Sequence, residues 1–224
     1  MKNKFLKIKK NKGMTLVELL VVSIIFIIVS SISIFNYNKF NSSISIQNLA
    51  DDLALSIRKV QGYAIGARGL GLNFDYSYGV NMSIGEQIPY SYPLSSSKSI
   101  VIFTDVSGNG QYDYTVDSES FSCGTPSSQN ECLEYLTIKN NDKISKIEIC
   151  NGSDCDIMGI NSSINVLFKR PNPEAVFCYK ESLSSSCIAS VSHVIIYIEN
   201  GVSQTENKIS KSVTIWSTGQ IYIN

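Results

Sequence analysis

The segment Met1 to Phe35 constrains this chain more than any other. Met1 to Gly13 carries Lys2, Lys4, Lys7, Lys9, Lys10 and Lys12 and no acid, and Met14 to Phe35 is then mostly Leu, Val, Ile and Phe, broken by Thr15, Glu18 and scattered serines. A lysine cluster flanking an apolar run stays on the cytoplasmic side of a membrane. At about 1.5 Å per residue such a run reaches roughly 33 Å as a helix, the thickness of a bilayer core. The pattern predicts a transmembrane segment over 14–35, with the N-terminus inside and the remainder outside.

An ordinary secretory signal is the competing reading, with Ser31-Ile32-Ser33 as a small-x-small cleavage site at the far end of the apolar run. Two details oppose it. Glu18 lies inside the apolar run, where an unpaired carboxylate costs a few kcal/mol, and a disposable signal gains nothing from it. Helical periodicity also continues past the apolar run. Between Ile44 and Ala64 the apolar residues Ile46, Leu49, Leu53, Ile57 and Val60 recur three or four apart, with Asp51, Asp52, Ser56 and Lys59 on other faces. That is an amphipathic helix able to cover a sheet. Gly62, Gly66, Gly69 and Gly71 mark its end. They follow a helix and do not open one, so they read as a cap and turn rather than a phosphate loop.

The run Gly13-Met14-Thr15-Leu16-Val17-Glu18-Leu19-Leu20-Val21-Val22 resembles the N-terminal methylation motif of type IV pilins and type II secretion pseudopilins. The resemblance implies that a prepilin peptidase cuts after Gly13 and that Met14 becomes the N-methylated terminus. It implies too that Glu18 neutralises the terminal amine of a neighbouring subunit in a filament. Paired, an ammonium and a carboxylate are far less costly in an apolar bundle than either alone. The implied partners are other pilin or pseudopilin subunits, the peptidase, an inner-membrane assembly platform, and membrane lipid before assembly. The implied location is the cytoplasmic membrane as a single-pass protein, then an extracellular pilus or periplasmic pseudopilus. Where major pilins often carry glycine and proline in the apolar half, this chain has Ile27 and Phe35, which points to a minor subunit.

The expected organisation is a leader over 1–13, a transmembrane and filament-core half helix over 14–35, an amphipathic half over 36–66 and a β-rich head over 67–224. Of the 224 residues, the last part suits one domain with its own core. Basic and acidic residues number 19 each, so loss of the leader lysines leaves acids in excess. That argues against a nucleic-acid surface. Leu72 to Tyr78, Ile100 to Phe103, Ile144 to Ile149, Ile164 to Phe168, Val194 to Ile198, Val213 to Trp216 and Ile221 to Ile223 read as strands, with Ser95-Ser96-Ser97 and Ser184-Ser185-Ser186 among the separators. Thr218-Gly219-Gln220 reads as a hairpin turn. The expected fold class is α+β, a long N-terminal helix on a mainly antiparallel sheet.

Six cysteines fall in neighbour pairs, Cys123 with Cys132, Cys150 with Cys155 and Cys178 with Cys187. Of the connectivities open to six cysteines, the sequential pairing closes short loops and suits an oxidising compartment. No C-x-x-C pair accompanies the single His193, which disfavours zinc. His193 itself, amid Val191, Val194, Ile195 and Ile196, reads as a strand residue with a local partner.

Asp105, Ser107, Asn109, Gln111 and Asp113 have the oxygen spacing of a calcium loop, with Gly110 at the sharp turn. The twelfth position would be Val116, with Asp117 and Glu119 only nearby, and a polar β-turn uses the same residue types. Val101-Ile102-Phe103-Thr104-Asp105, the glycine-rich turn after it, and Trp216-Ser217-Thr218-Gly219-Gln220-Ile221 are similar to the GspH-type minor pseudopilins and FimT-like minor pilins. That similarity implies an initiating or tip-associated subunit. Some FimT-like proteins bind DNA through a basic tail, whereas Gly219 to Asn224 holds no Lys or Arg. An adhesin-like head displayed on a pilus is the alternative, with Tyr76, Tyr78, Tyr90, Tyr92, Tyr112 and Tyr114 as contact residues. No nucleophile and base pattern points to an enzyme.

Overall fold

The computed structural model describes residues 13–66, 69, 75–85, 96–114, 123–128, 130–181, 184–188, 190–201 and 208–224. The leader lysines, Leu72 to Phe74, Tyr90, Tyr92, Ser95, Val116, Asp117 and Glu119 lie outside the described residues.

One helix, α1 (Leu16–Ile65), precedes eleven described strands. The chain divides into two compact units, Met1–Asn41 and Ser42–Asn224, so the second unit begins inside the helix. In the first unit the described apolar side chains from Leu16 to Val29 are exposed. Ser23 Oγ donates to the Leu19 carbonyl and Ser31 Oγ to the Ile27 carbonyl, both at 2.8 Å. Each hydroxyl is therefore satisfied on the helix itself and tolerates apolar surroundings.

In the second unit the period of 3.6 sets a buried face: Ile46, Leu49, Ala50, Leu53, Ile57, Val60 and Ala64 are all buried. Gly62 stays within the helix, which ends at Ile65, and the Gly66 amide donates to the Gly62 carbonyl at 2.8 Å. Arg170 Nε donates to the Ala64 carbonyl at 3.2 Å, covering one of the carbonyls that a helix end leaves open.

The strands form two antiparallel sheets. The first has the order β3-β2-β1-β6-β7-β8, from β1 (Ser77–Ser83), β2 (Ser99–Asp105), β3 (Cys132–Thr137), β6 (Ser162–Phe168), β7 (Ala175–Glu181) and β8 (Ser184–Ile188). The second has the order β11-β10-β9-β4-β5, from β4 (Lys143–Asn151), β5 (Asp154–Ile157), β9 (His193–Glu199), β10 (Ser210–Trp216) and β11 (Ile221–Ile223). One core joins Leu53, Ile57 and Val60 of α1 to Val80, Val166 and Phe168 of the first sheet and to Ile147, Ile196, Val213 and Ile215 of the second. This is the α+β class with antiparallel sheets that the sequence pattern predicts. Strands β3, β5, β7 and β8 are additional to that pattern, and Ser184-Ser185-Ser186, expected as a separator, lies in β8.

The other face of the first sheet is covered as well. Phe103, Leu167 and Cys178 pack with Tyr112, and Val101 and Cys132 pack with Tyr112 and Cys123. Gly79 makes room for this layer, because a Cβ there would stand 2.5 Å from the Phe103 ring. Cys123 bonds Cys132, Cys150 bonds Cys155 and Cys178 bonds Cys187. Cys150 and Cys155 are direct cross-strand partners, as are Cys178 and Cys187. Each disulfide thus fastens an edge strand, β3, β5 or β8, which is where a sheet would otherwise fray or recruit another chain.

Candidate functional site

Gly13, Met14 and Thr15 precede the helix and are exposed, so the Gly13–Met14 peptide bond lies outside regular structure. A Cβ on Gly13 would meet nothing within 4 Å among the described residues. The helix opens with a capping box. The Thr15 hydroxyl accepts from the Glu18 amide at 3.3 Å, while Glu18 Oε2 accepts from the Thr15 amide at 3.3 Å and the Thr15 hydroxyl at 3.4 Å. Two amides that a helix start leaves unpaired are satisfied reciprocally, and the acid sits at the positive end of the helix. The spacing Thr-x-x-Glu, a sufficient signal in the sequence, carries this role. Beyond it Leu16, Val17, Leu19, Leu20, Val21 and Val22 are exposed. Among the described residues no helix is long and apolar enough to cross a membrane.

The loop after β2 gathers the second set of sequence-marked residues. Asp105 is buried; its carboxylate accepts from the Gly110 amide at 3.1 Å and the Ser107 hydroxyl at 3.4 Å. Asp113 Oδ2 accepts from Asn109 Nδ2 at 2.7 Å and from the Ser107 hydroxyl at 3.0 Å. Asn109 Oδ1 accepts from the Gln111 amide at 2.7 Å, a side-chain turn that replaces a backbone one. Gln111 Oε1 accepts from Asn165 Nδ2 at 2.9 Å, and Asn165 Oδ1 from Asn81 Nδ2 at 2.7 Å, a buried amide chain rooted in β6 and β1.

Glu131 completes the loop from outside it. Its Oε1 accepts from the Val106 and Ser107 amides at 2.8 and 2.9 Å, and its Oε2 from the Asp113 amide at 2.9 Å. Glu131 is fully buried. Burial pushes its carboxyl up to about 6, opposed by the Ser107 and Asp113 amides and reinforced by the charges of Asp113 and Asp105. Burial likewise raises Asp105, against the amide bonds it accepts. The sequence gives no cue to this role, since Glu131 stands far along the chain from the turn it holds.

Without an ion, these side chains satisfy one another as a polar turn. Their carboxylate oxygens are engaged with the loop's own donors, and Asn109 turns its amide nitrogen toward Asp113. The arrangement is that of a polar turn latched by a distant acid. Among the described residues, Cys150, Cys155 and His193 do bring ligand atoms within 4.8 Å of one another. The two cysteines are joined as a disulfide, which removes the thiolates a metal would need. His193 stacks on Trp216 with ring centroids 4.4 Å apart, and its Nδ1 lies 2.9 Å from the Ser192 hydroxyl. Of the tyrosines considered as contact residues, Tyr78 is buried.

The described residues thus combine an exposed Gly-Met junction, a capped apolar helix start and an α+β fold with antiparallel sheets. Residues 8–34 match the family model described as the prokaryotic N-terminal methylation motif. The motif supports a type IV pilin-like or pseudopilin-like protein and implies processing by a peptidase and assembly with other such subunits. No curated protein and no solved structure matches the chain.

Proposed function

We propose that this chain is a minor type IV pilin or pseudopilin that acts in assembly rather than catalysis. Prepilin peptidase removes Met1 to Gly13, and Met14 becomes the N-methylated terminus. The apolar part of α1 anchors the subunit in the cytoplasmic membrane with the head outside. On extraction it exchanges lipid for the helices of neighbouring subunits. The observation that carries the reading is the methylation motif at 8–34 on a helix whose apolar side chains are exposed. An exposed apolar surface of that extent needs lipid or protein to cover it. Glu18 caps its own helix in the isolated subunit and pairs with a neighbour's terminal ammonium in the filament. Initiation or tip placement follows from the likeness of Val101 to Asp113 and Trp216 to Ile221 to GspH-type and FimT-like minor subunits.

Incorporation tests this reading. Full-length chain carrying Glu18→Leu is expected to be processed and held in the membrane but missing from sheared filaments, whereas Glu18→Asp is retained in part. Incorporation of Glu18→Leu at the level of the unaltered chain would overturn the assigned role. Stoichiometry near that of the most abundant subunit would remove the minor assignment.

A further inference from the structure

Cys155, Cys150, His193 and Trp216 stand in one row across β5, β4, β9 and β10, each the direct cross-strand partner of the next. Register partners in a sheet project from the same face, so a disulfide, an imidazole and an indole lie side by side. The two sulfurs and a ring nitrogen of His193 lie within 4.8 Å of one another. Cys150 is buried and Cys155 is exposed. Ser192 Oγ donates its one proton to the Cys150 carbonyl at 2.9 Å and accepts from the Gly152 amide at 2.9 Å. His193 Nδ1, 2.9 Å from the same oxygen, is therefore the donor of that pair, and the neutral ring keeps its lone pair on Nε2. Metal-binding imidazoles share this arrangement, one nitrogen tied to a fixed oxygen and the other free. The indole of Trp216, stacked at 4.4 Å, steadies the ring from the far side.

We propose that opening the Cys150–Cys155 disulfide converts this row into a zinc site, with two thiolates and the His193 imidazole as ligands and water in the fourth position. The proposal goes beyond the assembly reading and does not depend on it. The opening takes two electrons, which a dithiol supplies. One thiolate of the dithiol attacks the exposed Cys155 sulfur, and the Cys150 sulfur leaves and takes up a proton. The second thiol then resolves the mixed disulfide, so that the reductant becomes a disulfide and Cys155 a thiol. Zn2+ displaces the protons of both thiols as it binds. Tetrahedral Zn–S bonds of about 2.3 Å set the sulfurs roughly 3.8 Å apart, a separation that turning the two side chains supplies. Thiolate and imidazole donors suit zinc, whereas calcium and magnesium take oxygen. His193 is the one histidine of the chain, so the Cys123–Cys132 and Cys178–Cys187 pairs have no such third ligand. Because the row spans β5, β4 and β9, the metal ties the same edge strand that the disulfide fastens. The edge is held in either redox state.

Cobalt(II) absorbance of the purified full-length chain tests this, since thiolate ligands give cobalt an intense charge-transfer band. The oxidised chain is expected to bind no cobalt. After reduction with a phosphine, one Co2+ per chain is expected, displaced by Zn2+, with the melting midpoint of the reduced chain raised by zinc. His193→Phe, which keeps a ring against Trp216, is expected to weaken cobalt binding at least about tenfold. Cys155→Ser is expected to remove most of the band, and Cys178→Ala with Cys187→Ala to leave it unchanged. No thiolate band in the reduced chain, or a band that keeps full affinity in His193→Phe, would overturn the site. So would metal binding with no rise in the melting midpoint, because the thiols would then belong to unfolded chain.

Discussion

Glu131 and Ser107 are joined at 2.9 Å, carboxylate to amide, across a stretch of chain that no local rule connects. The same carboxylate holds Val106 and Asp113, so one buried acid fixes both ends of the turn that covers β2. Since Glu131 is pushed up to about 6 by burial, its folded value lies above its unfolded one. The stability it contributes is fully present below about pH 4.5 and is lost as pH rises through about 6. Asp105, raised by the same cause, adds to the slope at the acid end. Thermal midpoints measured from pH 4.5 to 7 are expected to fall across this window, and less steeply in Glu131→Gln. Parallel curves for the two proteins would contradict the assignment.

Gly110 rests on the Cys178–Cys187 disulfide: its φ is +74°, and a Cβ would stand 2.7 Å from both sulfurs. Gly110→Ala is expected to destabilise the fold by about 1–3 kcal/mol, combining backbone strain with the clash. Gly108→Ala, also at positive φ but with open space around its Cβ, is the control and should cost less. Chemical denaturation measures both.

Because the oxygens of Asp105 and Asp113 are engaged with the loop's own donors, millimolar calcium is expected to leave the melting temperature of the protein unchanged. A rise of several degrees, abolished in Asp105→Ala with Asp113→Ala, would show that the turn opens to take the ion.

Removing the disulfide that ties β8 to β7, by Cys178→Ala with Cys187→Ala, is expected to cost about 2–3 kcal/mol from loop closure. The effect should concentrate at the edge. Amides of residues 184–188 should exchange faster with deuterium while those of β1 and β6 keep their protection. Uniform loss of protection would contradict the edge-fastening role.

Much of this architecture is legible in the sequence, and what is not legible has a physical reason. Ile100 to Phe103, Ile144 to Ile149, Ile164 to Phe168, Val194 to Ile198 and Val213 to Trp216 stand out because their strands bury apolar side chains. Strand β5 exposes all four of its residues and β3 exposes four of its six, so neither shows the alternation that a half-buried strand requires. Strand β8 opens Ser-Ser-Ser, a turn-like composition held extended by pairing with β7 and by one disulfide. The spacing of Asp105 to Asp113 revealed a polar turn but not Glu131, whose role exists only once β3 lies beside β2. Thr15 and Glu18, read in the sequence only as part of a processing motif, also cap the helix, and the Thr-x-x-Glu spacing was the signal for it.

The claim beneath the whole account is that Gly13–Met14 is cut and the apolar helix kept. Intact-mass and N-terminal fragment analysis of the protein from its native membrane tests this most directly. The expected terminus is N-methylated Met14, absent when the prepilin peptidase is deleted. A terminus downstream of Ser33, or an uncut Met1 in cells with active peptidase, would contradict it.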